Sequence, residues 1–332
     1  MVCNQESIVI HLYGKAYITI SMEYITLRNS DLKVSRLCMG GCPMGGYGWG
    51  NVQEQELIEA VHTCLDMGII FFDTSDTYGL GESERTLSKA LGNHRKDVVI
   101  QTKFGVRFSK EGTTYDNSPA YIEEALDNSL KNLNCDYVDV YVIHYRDGKT
   151  PIADVLGKLE ELRQKGKVRY FGLSNYHGDM LEELRPHKDK FVCCQNEYSL
   201  ACRKNEKDLL TLSGKYGISP LTWGSLGQGV LTGKYSKDTL FESNDRRSRD
   251  VYVNFHGEKL LKNLEIVEAM RPIAFAHGVS VSAVAIRFIM DKLKDSVVIV
   301  GAKRPAQMLG NVEAVDWCLS SDELHLLDEI SR

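Results

Sequence analysis

The feature of this chain that most constrains its fold is the regular alternation of short apolar runs with amphipathic stretches. Eight runs have the length and β-branched content of strands: Arg36–Gly40, Ile69–Asp73, Val98–Lys103, Tyr137–His144, Arg169–Ser174, Phe191–Gln195, Ser219–Trp223 and Val297–Gly301. Several of them are apolar on both faces, which is typical of parallel strands that helices cover on each side. The stretches between the runs show helical periodicity, as in Glu54–Met67 and Pro119–Leu133.

Eight strand–helix units in succession predict an α/β fold with a single closed (β/α)8 TIM barrel. An open, doubly wound sheet is the competing arrangement. We expect residues 22–332 to form the barrel, with a β-hairpin at Tyr24–Ser35 before the first strand and a long loop after the seventh. The apolar runs within residues 1–21 are too short to cross a bilayer, and we expect this segment to be a dispensable extension.

Composition restricts the compartment and the partners. The net charge is −5, so the chain has no general attraction for nucleic acid or anionic membranes. Its nine cysteines are scattered and include no CxxC pair, which favours free thiols in a reducing, cytoplasmic setting. No HxH or HExxH pattern is present either, so we expect no bound metal.

Ionisable residues follow three consecutive predicted strands, where a barrel of this kind carries its active site. Asp73 ends the second run and Tyr78 follows five residues later, while Lys103 ends the third run and His144 the fourth. Each residue alone is weak evidence, because a single histidine after an apolar strand is usually structural. A lysine at the end of a buried run needs a partner, however, and Asp73 is the natural one.

Together these four residues predict chemistry on a carbonyl group. Tyr78 would donate a proton to the carbonyl oxygen, and we expect the Lys103 ammonium to lower the pKa of Tyr78 from its usual value of about 10. Asp73 would hold Lys103, and His144 would orient the substrate oxygen. In the oxidative direction Tyr78 would act as the base. The hydride must come from a cofactor, since no side chain provides one.

The segments around these residues resemble the aldo-keto reductase superfamily. DTSDTYGLGESE, Lys103 and His144 match its Asp–Tyr–Lys–His tetrad, and GKVRYFGLSN, QNEYSL and VIVGAKRPAQMLGNV match further segments. The resemblance runs from about Met22 to the C-terminus and is closest to the bacterial-type branch of general stress and inositol-cluster reductases. It implies NADP(H)-dependent reduction of aldehydes or ketones, or oxidation of the alcohols, by a monomer or weak homo-oligomer.

The cofactor site is not of the G-x-G-x-x-G type, because the glycine-rich stretch GGCPMGGYGWG lacks that spacing. After the eighth run, Lys303 and Arg304 stand at a helix N-terminus, where two cations suit a 2′-phosphate. Lys303, Gln307 and Asn311 are spaced to share one face of that helix. Gln307 replaces an arginine that many relatives carry, which leaves NAD(H) open as the alternative cofactor.

The resemblance also implies contacts with the rest of the cofactor and with the substrate. Ser174, Asn175 and Gln195 would hold the carboxamide, and Trp223 would stack on the nicotinamide ring. Gly41, Cys42 and Trp49 would lie near the nicotinamide and the substrate. The remaining predicted cofactor residues are Gly224, Ser225, Leu226, Gly229, Leu231 and Lys234, in the loop around the pyrophosphate, and Gly301 at the end of the eighth strand.

The substrate and one alternative function stay open at the level of sequence. Trp49, Phe104 and Tyr145 suit an apolar or aromatic carbonyl compound, whereas Arg146 and the polar loop 107–117 suit a sugar or an acid. A non-catalytic, nicotinamide-binding regulatory subunit could share the fold and the tetrad. A Schiff-base enzyme is less favoured, because pairing with Asp73 would keep Lys103 protonated and a poor nucleophile.

Overall fold

The fold is known from a computed structural model that describes residues 4–11, 17–46, 48–109 and 112–332, with side chains described from residue 21 onward. Numbered along the chain, its strands are β1 (Asn4–His11), β2 (Tyr17–Thr26), β3 (Lys33–Ser35), β4 (Leu37–Gly40), β5 (Phe71–Asp73), β6 (Val99–Phe104), β7 (Val106–Ser109), β8 (Gly112–Tyr115), β9 (Val138–Ile143), β10 (Val168–Ser174), β11 (Phe191–Glu197), β12 (Ser219–Trp223) and β13 (Val297–Gly301).

Eight of these strands form a closed parallel barrel in the order β4-β5-β6-β9-β10-β11-β12-β13, with β13 pairing back to β4. Each predicted run supplies one barrel strand, so the barrel is confirmed and the open sheet is excluded. Along β9 every residue is buried. Val140 and Val142 belong to one core cluster, while Tyr141 and Ile143 belong to the other, as alternate strand residues pointing to opposite faces require.

The helices surround this barrel: α1 (Glu54–Asp66), α2 (Glu82–Leu91), α3 (Pro119–Leu133), α4 (Ile152–Gln164), α5 (Met180–Leu184), α6 (Glu206–Thr211), α7 (Gly257–His277), α8 (Val281–Lys292), α9 (Pro305–Val312) and α10 (Ser321–Ile330). Helix α10, which periodicity did not predict, begins with a reciprocal capping box between Ser320 and Glu323. No single helix in the described part of the chain is long and apolar enough to span a membrane. Helices α7 and α8 have that length and apolar character only when they are taken together, and they are bent by 94° relative to each other.

The predicted hairpin before the barrel is confirmed and is larger than the sequence suggested. Strand β2 pairs with β3, with Tyr24 opposite Ser35, and β1 adds a third antiparallel strand on the other edge of β2. Glu23 of β2 is buried between Arg36 and Arg287, at 2.6 and 2.8 Å. This ion-pair network ties the small sheet to the barrel wall and to α8.

Two loops at the carboxyl ends of the strands approach each other. The predicted long connection after β12 is confirmed, and it contains short 3-10 turns at Gly227–Thr232, Arg246–Ser248 and Val253–Phe255. Within it, Asp245 forms an antiparallel bridge to Trp49 of the loop after β4. The backbone N–H of Arg246 also donates to the Gly48 carbonyl at 3.0 Å. The two loops therefore form one side of a cavity.

Candidate active site

A cavity of about 1530 Å³ opens at the carboxyl ends of the barrel strands. Each of the eight strands contributes a lining residue within two residues of its carboxyl end: Gly40, Asp73, Lys103, His144, Ser174, Gln195, Trp223 and Gly301. This is the face on which barrels of this fold carry their active sites. The cavity therefore brings together residues that lie more than two hundred positions apart in the sequence.

The predicted Asp73–Lys103–Tyr78 group is assembled at this face. Lys103 Nζ lies 2.7 Å from Oδ1 of Asp73, and it donates to the Thr74 carbonyl at 2.8 Å and to the Tyr78 hydroxyl at 3.1 Å. These three acceptors match the three N–H donors of an ammonium group. The side chains of Lys103 and Asp73 are 1% and 5% exposed. Lys103 is therefore fixed in place with its charge directed at the tyrosine oxygen.

His144 completes the group from the neighbouring strand. Its backbone N–H donates to the Phe104 carbonyl at 2.8 Å, which fixes the start of the loop after β9. The imidazole ring lies edge-on to the Tyr78 ring, with 6.1 Å between the ring centres. It also packs against the Tyr145 ring at 4.9 Å. His144 and Tyr78 thus line the cavity together.

The electrostatics of the site correct one expectation from the sequence. The pKa of Tyr78 is raised well above its ordinary value, because burial disfavours the phenolate and the Asp73 carboxylate adds to the effect. The net pKa of Tyr78 therefore lies above its ordinary value, and not below it as we expected from the neighbouring Lys103 ammonium. Burial and the nearby Lys103 ammonium hold the pKa of His144 well below its ordinary value. The structure thus has a protonated phenol beside a neutral imidazole.

Most of the predicted cofactor residues line the cavity. Beyond the strand ends already named, they are Cys42, Asn175, Gly224, Ser225, Leu226, Gly229, Lys234, Lys303, Gln307 and Asn311. Asn175 has a left-handed backbone, with φ of 59°, and its amide donates to the His144 carbonyl at 3.0 Å. The Gln195 amide donates to Asp73 Oδ1 at 3.0 Å, so Gln195 also supports the tetrad.

Three predicted cofactor residues do not line the cavity. Gly41 packs so closely against Ser83 and the Asp73 carbonyl that a Cβ would lie 2.6 Å from the Ser83 Oγ atom. Leu231 is fully buried in the core. Arg304 turns away from the cavity and pairs with Glu56 at 3.0 Å. Adjacent loop residues point in different directions, so the structure brings their neighbours to the cavity lining and leaves these three outside it.

Two predicted substrate residues, Trp49 and Tyr145, line the cavity, but the third does not. Phe104 is fully buried, with its ring 4.6 Å from that of Tyr141. It follows Lys103 on the same strand and so points to the opposite face. Arg146, the basis for an acidic substrate, is also absent from the lining, because it forms hydrogen bonds with Glu183 and Asn117.

Sequence reasoning missed three cations that line the cavity, Arg246, Arg247 and Arg249. The run DRRSR in the long loop was visible, but the bridge between Asp245 and Trp49, which brings it to the cavity, was not. Arg247 pairs with Asp245 at 2.6 Å and donates to the Tyr235 hydroxyl at 2.6 Å. Within the described ranges, no group of three or more His, Cys, Asp or Glu residues could hold a metal ion.

Comparison with known proteins agrees with this arrangement. The model of the Aldo/keto reductase family matches residues 36–332. Aldo-keto reductase YhdN of Bacillus subtilis is 31% identical to this chain, and the match covers 91% of both chains. A probable voltage-gated potassium channel subunit beta of Arabidopsis thaliana is 33% identical, and the match covers 89% of this chain and 92% of the relative. The solved glycerol dehydrogenase of Gluconobacter oxydans is 30% identical, with a TM-score of 0.83 over 92% of this chain and 94% of its own. The chain therefore belongs to the aldo/keto reductase family.

Proposed function

We propose that this protein is an NADP(H)-dependent oxidoreductase that reduces aldehydes or ketones, or oxidises the corresponding alcohols, with Tyr78 as the general acid or base. The observation that carries the proposal is the hydrogen-bonded chain from Asp73 through Lys103 to the Tyr78 hydroxyl, at the lining of a large cavity. Family membership supports oxidoreductase chemistry, and the geometry supports Tyr78 as the residue that handles the proton.

The raised pKa of Tyr78 suits reduction. Because burial keeps the phenol protonated, its hydroxyl is available to donate to a carbonyl oxygen. As that proton leaves, the developing phenolate is stabilised by Lys103, whose Nζ is already 3.1 Å away. Asp73 and the Thr74 carbonyl hold the ammonium in this position throughout. In the oxidative direction the same Lys103 contact would stabilise the deprotonated Tyr78 that accepts the alcohol proton.

Several features of the cavity fit a nicotinamide dinucleotide. Trp223 Nε1 is buried with no hydrogen-bond partner in the described part of the chain, so this end of the cavity has a donor to offer. The backbone at Gln228 and Gly229 has φ of 56° and 108°, which turns the loop after β12 along the cavity. Ser174, Asn175 and Trp223 would hold the nicotinamide end. When bound, the cofactor supplies the hydride.

The charge of the lining favours a cofactor with several phosphates. Besides Lys103, the cationic lining residues are Lys234, Arg246, Arg247, Arg249 and Lys303, whereas Asp73 is the single carboxylate among the described lining residues. Lys303 Nζ now donates to the Trp49 carbonyl at 2.7 Å, a contact that a phosphate could replace. We therefore favour NADP(H) over NAD(H), with Lys303 rather than Arg304 at the 2′-phosphate.

The direct test mixes the purified protein with NADPH and a panel of carbonyl compounds, among them an aryl aldehyde and several sugars, and follows the absorbance of the reduced cofactor. Substrate-dependent oxidation that collapses in Tyr78→Phe supports the proposal. Tight NADPH binding without turnover of any compound would instead favour a nicotinamide-binding regulatory subunit, and one relative is itself a probable potassium channel subunit. A protein that neither binds nor oxidises NADPH would contradict both.

We also infer the compartment in which the protein works and the molecules that it binds. We propose a small-molecule carbonyl or alcohol as the partner, with no nucleic acid, membrane or metal, and a cytoplasmic monomer or weak homo-oligomer. Eight described cysteines, from Cys38 to Cys318, are free thiols, in keeping with a reducing compartment. Phe108 and Tyr252 line the cavity with Trp49 and Tyr145, and this favours an apolar or aromatic carbonyl compound over an acid.

A further inference from the structure

A pair of polar residues behind His144 has no role in the proton transfer described above. The Ser75 hydroxyl donates to Asp76 Oδ1 at 3.0 Å and lies 3.5 Å from Nδ1 of His144. Ser75 is fully buried, so this contact is shielded from solvent. Because Ser75 faces Nδ1, Nε2 is the nitrogen of His144 that remains for a substrate oxygen in the cavity.

The identity of the protonated nitrogen decides what His144 can do. A neutral imidazole has one N–H donor and one nitrogen acceptor, and the partner of one nitrogen fixes the role of the other. His144 stays neutral, since burial and the Lys103 ammonium oppose a second proton. With the proton on Nε2 it can donate to a carbonyl oxygen, whereas with the proton on Nδ1 it can accept from an alcohol.

We propose that Ser75 and Asp76 are positioning residues that set the tautomer of His144 and thereby match the site to reduction or to oxidation. The inference rests on the proposed oxidoreductase function and extends it to the choice of direction. Neither Ser75 nor Asp76 lines the cavity, and the Ser75 hydroxyl turns between its two partners as Asp76 gains or loses a proton.

The two states differ by one proton. In the first state the Asp76 carboxyl group is protonated and donates to Ser75 Oγ, Ser75 donates to Nδ1, and the proton of His144 is on Nε2. In the second state Asp76 is ionised, Ser75 donates to it, and Nδ1–H of His144 donates to Ser75 Oγ, which leaves Nε2 as an acceptor. The conversion moves the ring proton from Nε2 to Nδ1 through exchange with solvent and releases the Asp76 proton.

The surroundings of Asp76 favour titration of its carboxyl group near neutral pH. Burial raises the pKa of Asp76 to about 7, and Glu84 of α2 adds to the effect. Hydrogen bonds from the Ser75 hydroxyl and the Thr77 N–H have the opposite effect and lower the pKa of Asp76, as does the charge of Lys103 on β6. Beyond His144, three tyrosines also interact electrostatically with Asp76: Tyr78, Tyr121 of α3 and Tyr141 of β9.

These tyrosines leave the Ser75–Asp76 contact undisturbed. The Tyr121 and Tyr141 hydroxyls donate to the Val106 and Ile122 carbonyls, and Tyr78 accepts from Lys103. Thr77 is the other neighbour of the serine hydroxyl: its Oγ1 lies 2.9 Å from Ser75 Oγ, and its N–H donates to Ser75 Oγ at 3.3 Å. The single proton of Ser75 goes to Nδ1 in the first state and to Asp76 in the second, so Thr77 is a donor to Ser75 Oγ in both states and favours neither.

The first measurement reads the tautomer without any turnover. In the full chain labelled with ¹⁵N-histidine, one of nine histidine signals is assigned to His144 by its loss in His144→Gln. We expect the Nε2–H form near pH 6 and the Nδ1–H form near pH 8, and no change of tautomer with pH in Asp76→Asn. A single tautomer across this range in the wild type, or an unchanged transition in Asp76→Asn, would overturn the proposal even if the protein proved inactive.

The second measurement is kinetic. For aryl aldehyde reduction with NADPH, we expect kcat/KM to fall about tenfold between pH 6 and pH 8, as the protonated fraction of a group titrating near 7 falls. This step should vanish in Asp76→Asn and in Ser75→Ala, while Asp127→Asn, an exposed carboxyl change on α3, should keep it. If both variants keep the wild-type profile, Ser75 and Asp76 do not act on His144. If the step vanishes in only one variant, the connection through the hydroxyl is wrong.

Discussion

Lys103 and Asp73 form an ion pair, with 2.7 Å between Nζ and Oδ1, that is almost entirely shielded from solvent. A buried pair of this kind gains little over an apolar pair of the same size, but removal of one partner leaves a charge that nothing compensates. The pair is therefore a constraint on stability as well as on catalysis. The two effects can be separated by experiment, because no hydrogen bond among the described residues joins Asp73 directly to Tyr78.

Replacement of Lys103 by methionine should lower the free energy of unfolding by about 3–5 kcal/mol, since Asp73 stays buried without its partner. Urea denaturation followed by circular dichroism measures this change. The double variant Lys103→Met/Asp73→Asn should recover part of the lost stability, because no buried charge remains, yet it should stay inactive. If the two substitutions destabilise additively, the pair is not coupled as the geometry requires.

Replacement of Tyr78 by phenylalanine should lower kcat for aldehyde reduction by about 10²–10⁴-fold, because the proton donor is lost. Binding of NADPH should persist, as measured by quenching of tryptophan fluorescence, since Trp49 and Trp223 line the same cavity. Tyr170→Phe is a matched control, because Tyr170 bonds to Asp31 outside the cavity. Retention of wild-type kcat in Tyr78→Phe would remove Tyr78 from the mechanism.

The strand ends of this barrel were accessible to sequence reasoning, and the directions of neighbouring side chains were harder to predict. Asp73, Lys103 and His144 follow runs whose apolar character identifies them as buried strands. The burial of Phe104 away from the cavity could have been predicted, since a residue next to the inward Lys103 points outward. Arg304 lies in a loop, where side chains do not alternate between two faces as they do in a strand. Its pairing with Glu56 could therefore be seen only in the folded structure.

Two other features needed the folded chain. The direction of the Tyr78 pKa depends on how much burial opposes the phenolate, and the sequence gives the neighbouring charge but not the desolvation. The arginines of the long loop reach the cavity through contacts of Asp245 and Arg246 with Trp49 and Gly48, nearly two hundred residues away. Long-range contacts between loops have no periodic pattern, so composition alone indicated a charged loop and no more.

Cofactor preference should depend on Lys303 and much less on Arg304. Lys303→Ala should lower kcat/KM for NADPH by about 10–100-fold, the loss expected for one charge-assisted contact, with little change for NADH. Arg304→Ala should change either value by less than about twofold, because this side chain is 58% exposed and pairs with Glu56 away from the cavity. An NADPH to NADH ratio near one in the wild type would contradict the proposed role of Lys303.

The Glu23 network gives stability a predictable pH dependence. Burial acts to raise the pKa of Glu23. The charges and hydrogen bonds of Arg36 and Arg287 lower it by more, so the pKa of Glu23 lies below its ordinary value. A lowered carboxyl pKa contributes stability that is present above about pH 4.5 and is lost as the pH falls through the folded-state value. Glu23→Gln should cost about 2 kcal/mol at neutral pH and show a weaker loss of stability on acidification, measured by urea titration at each pH.

Deletion of residues 1–21 should change the melting temperature by less than about 2 °C and leave the specific activity intact. The deletion removes β1 and the first half of β2, with an exposed hydrogen bond from the Ser21 N–H to Asp316 at 3.1 Å, whereas Met22 and Glu23, which are 0% and 7% exposed, remain. Deletion of residues 1–24 is the informative comparison, because it also removes Glu23 and leaves Arg36 and Arg287 without their shared carboxylate. Thermal unfolding should then occur several degrees lower. If both deletions destabilise the protein equally, the three-stranded sheet acts as one unit and residues 1–21 are not dispensable.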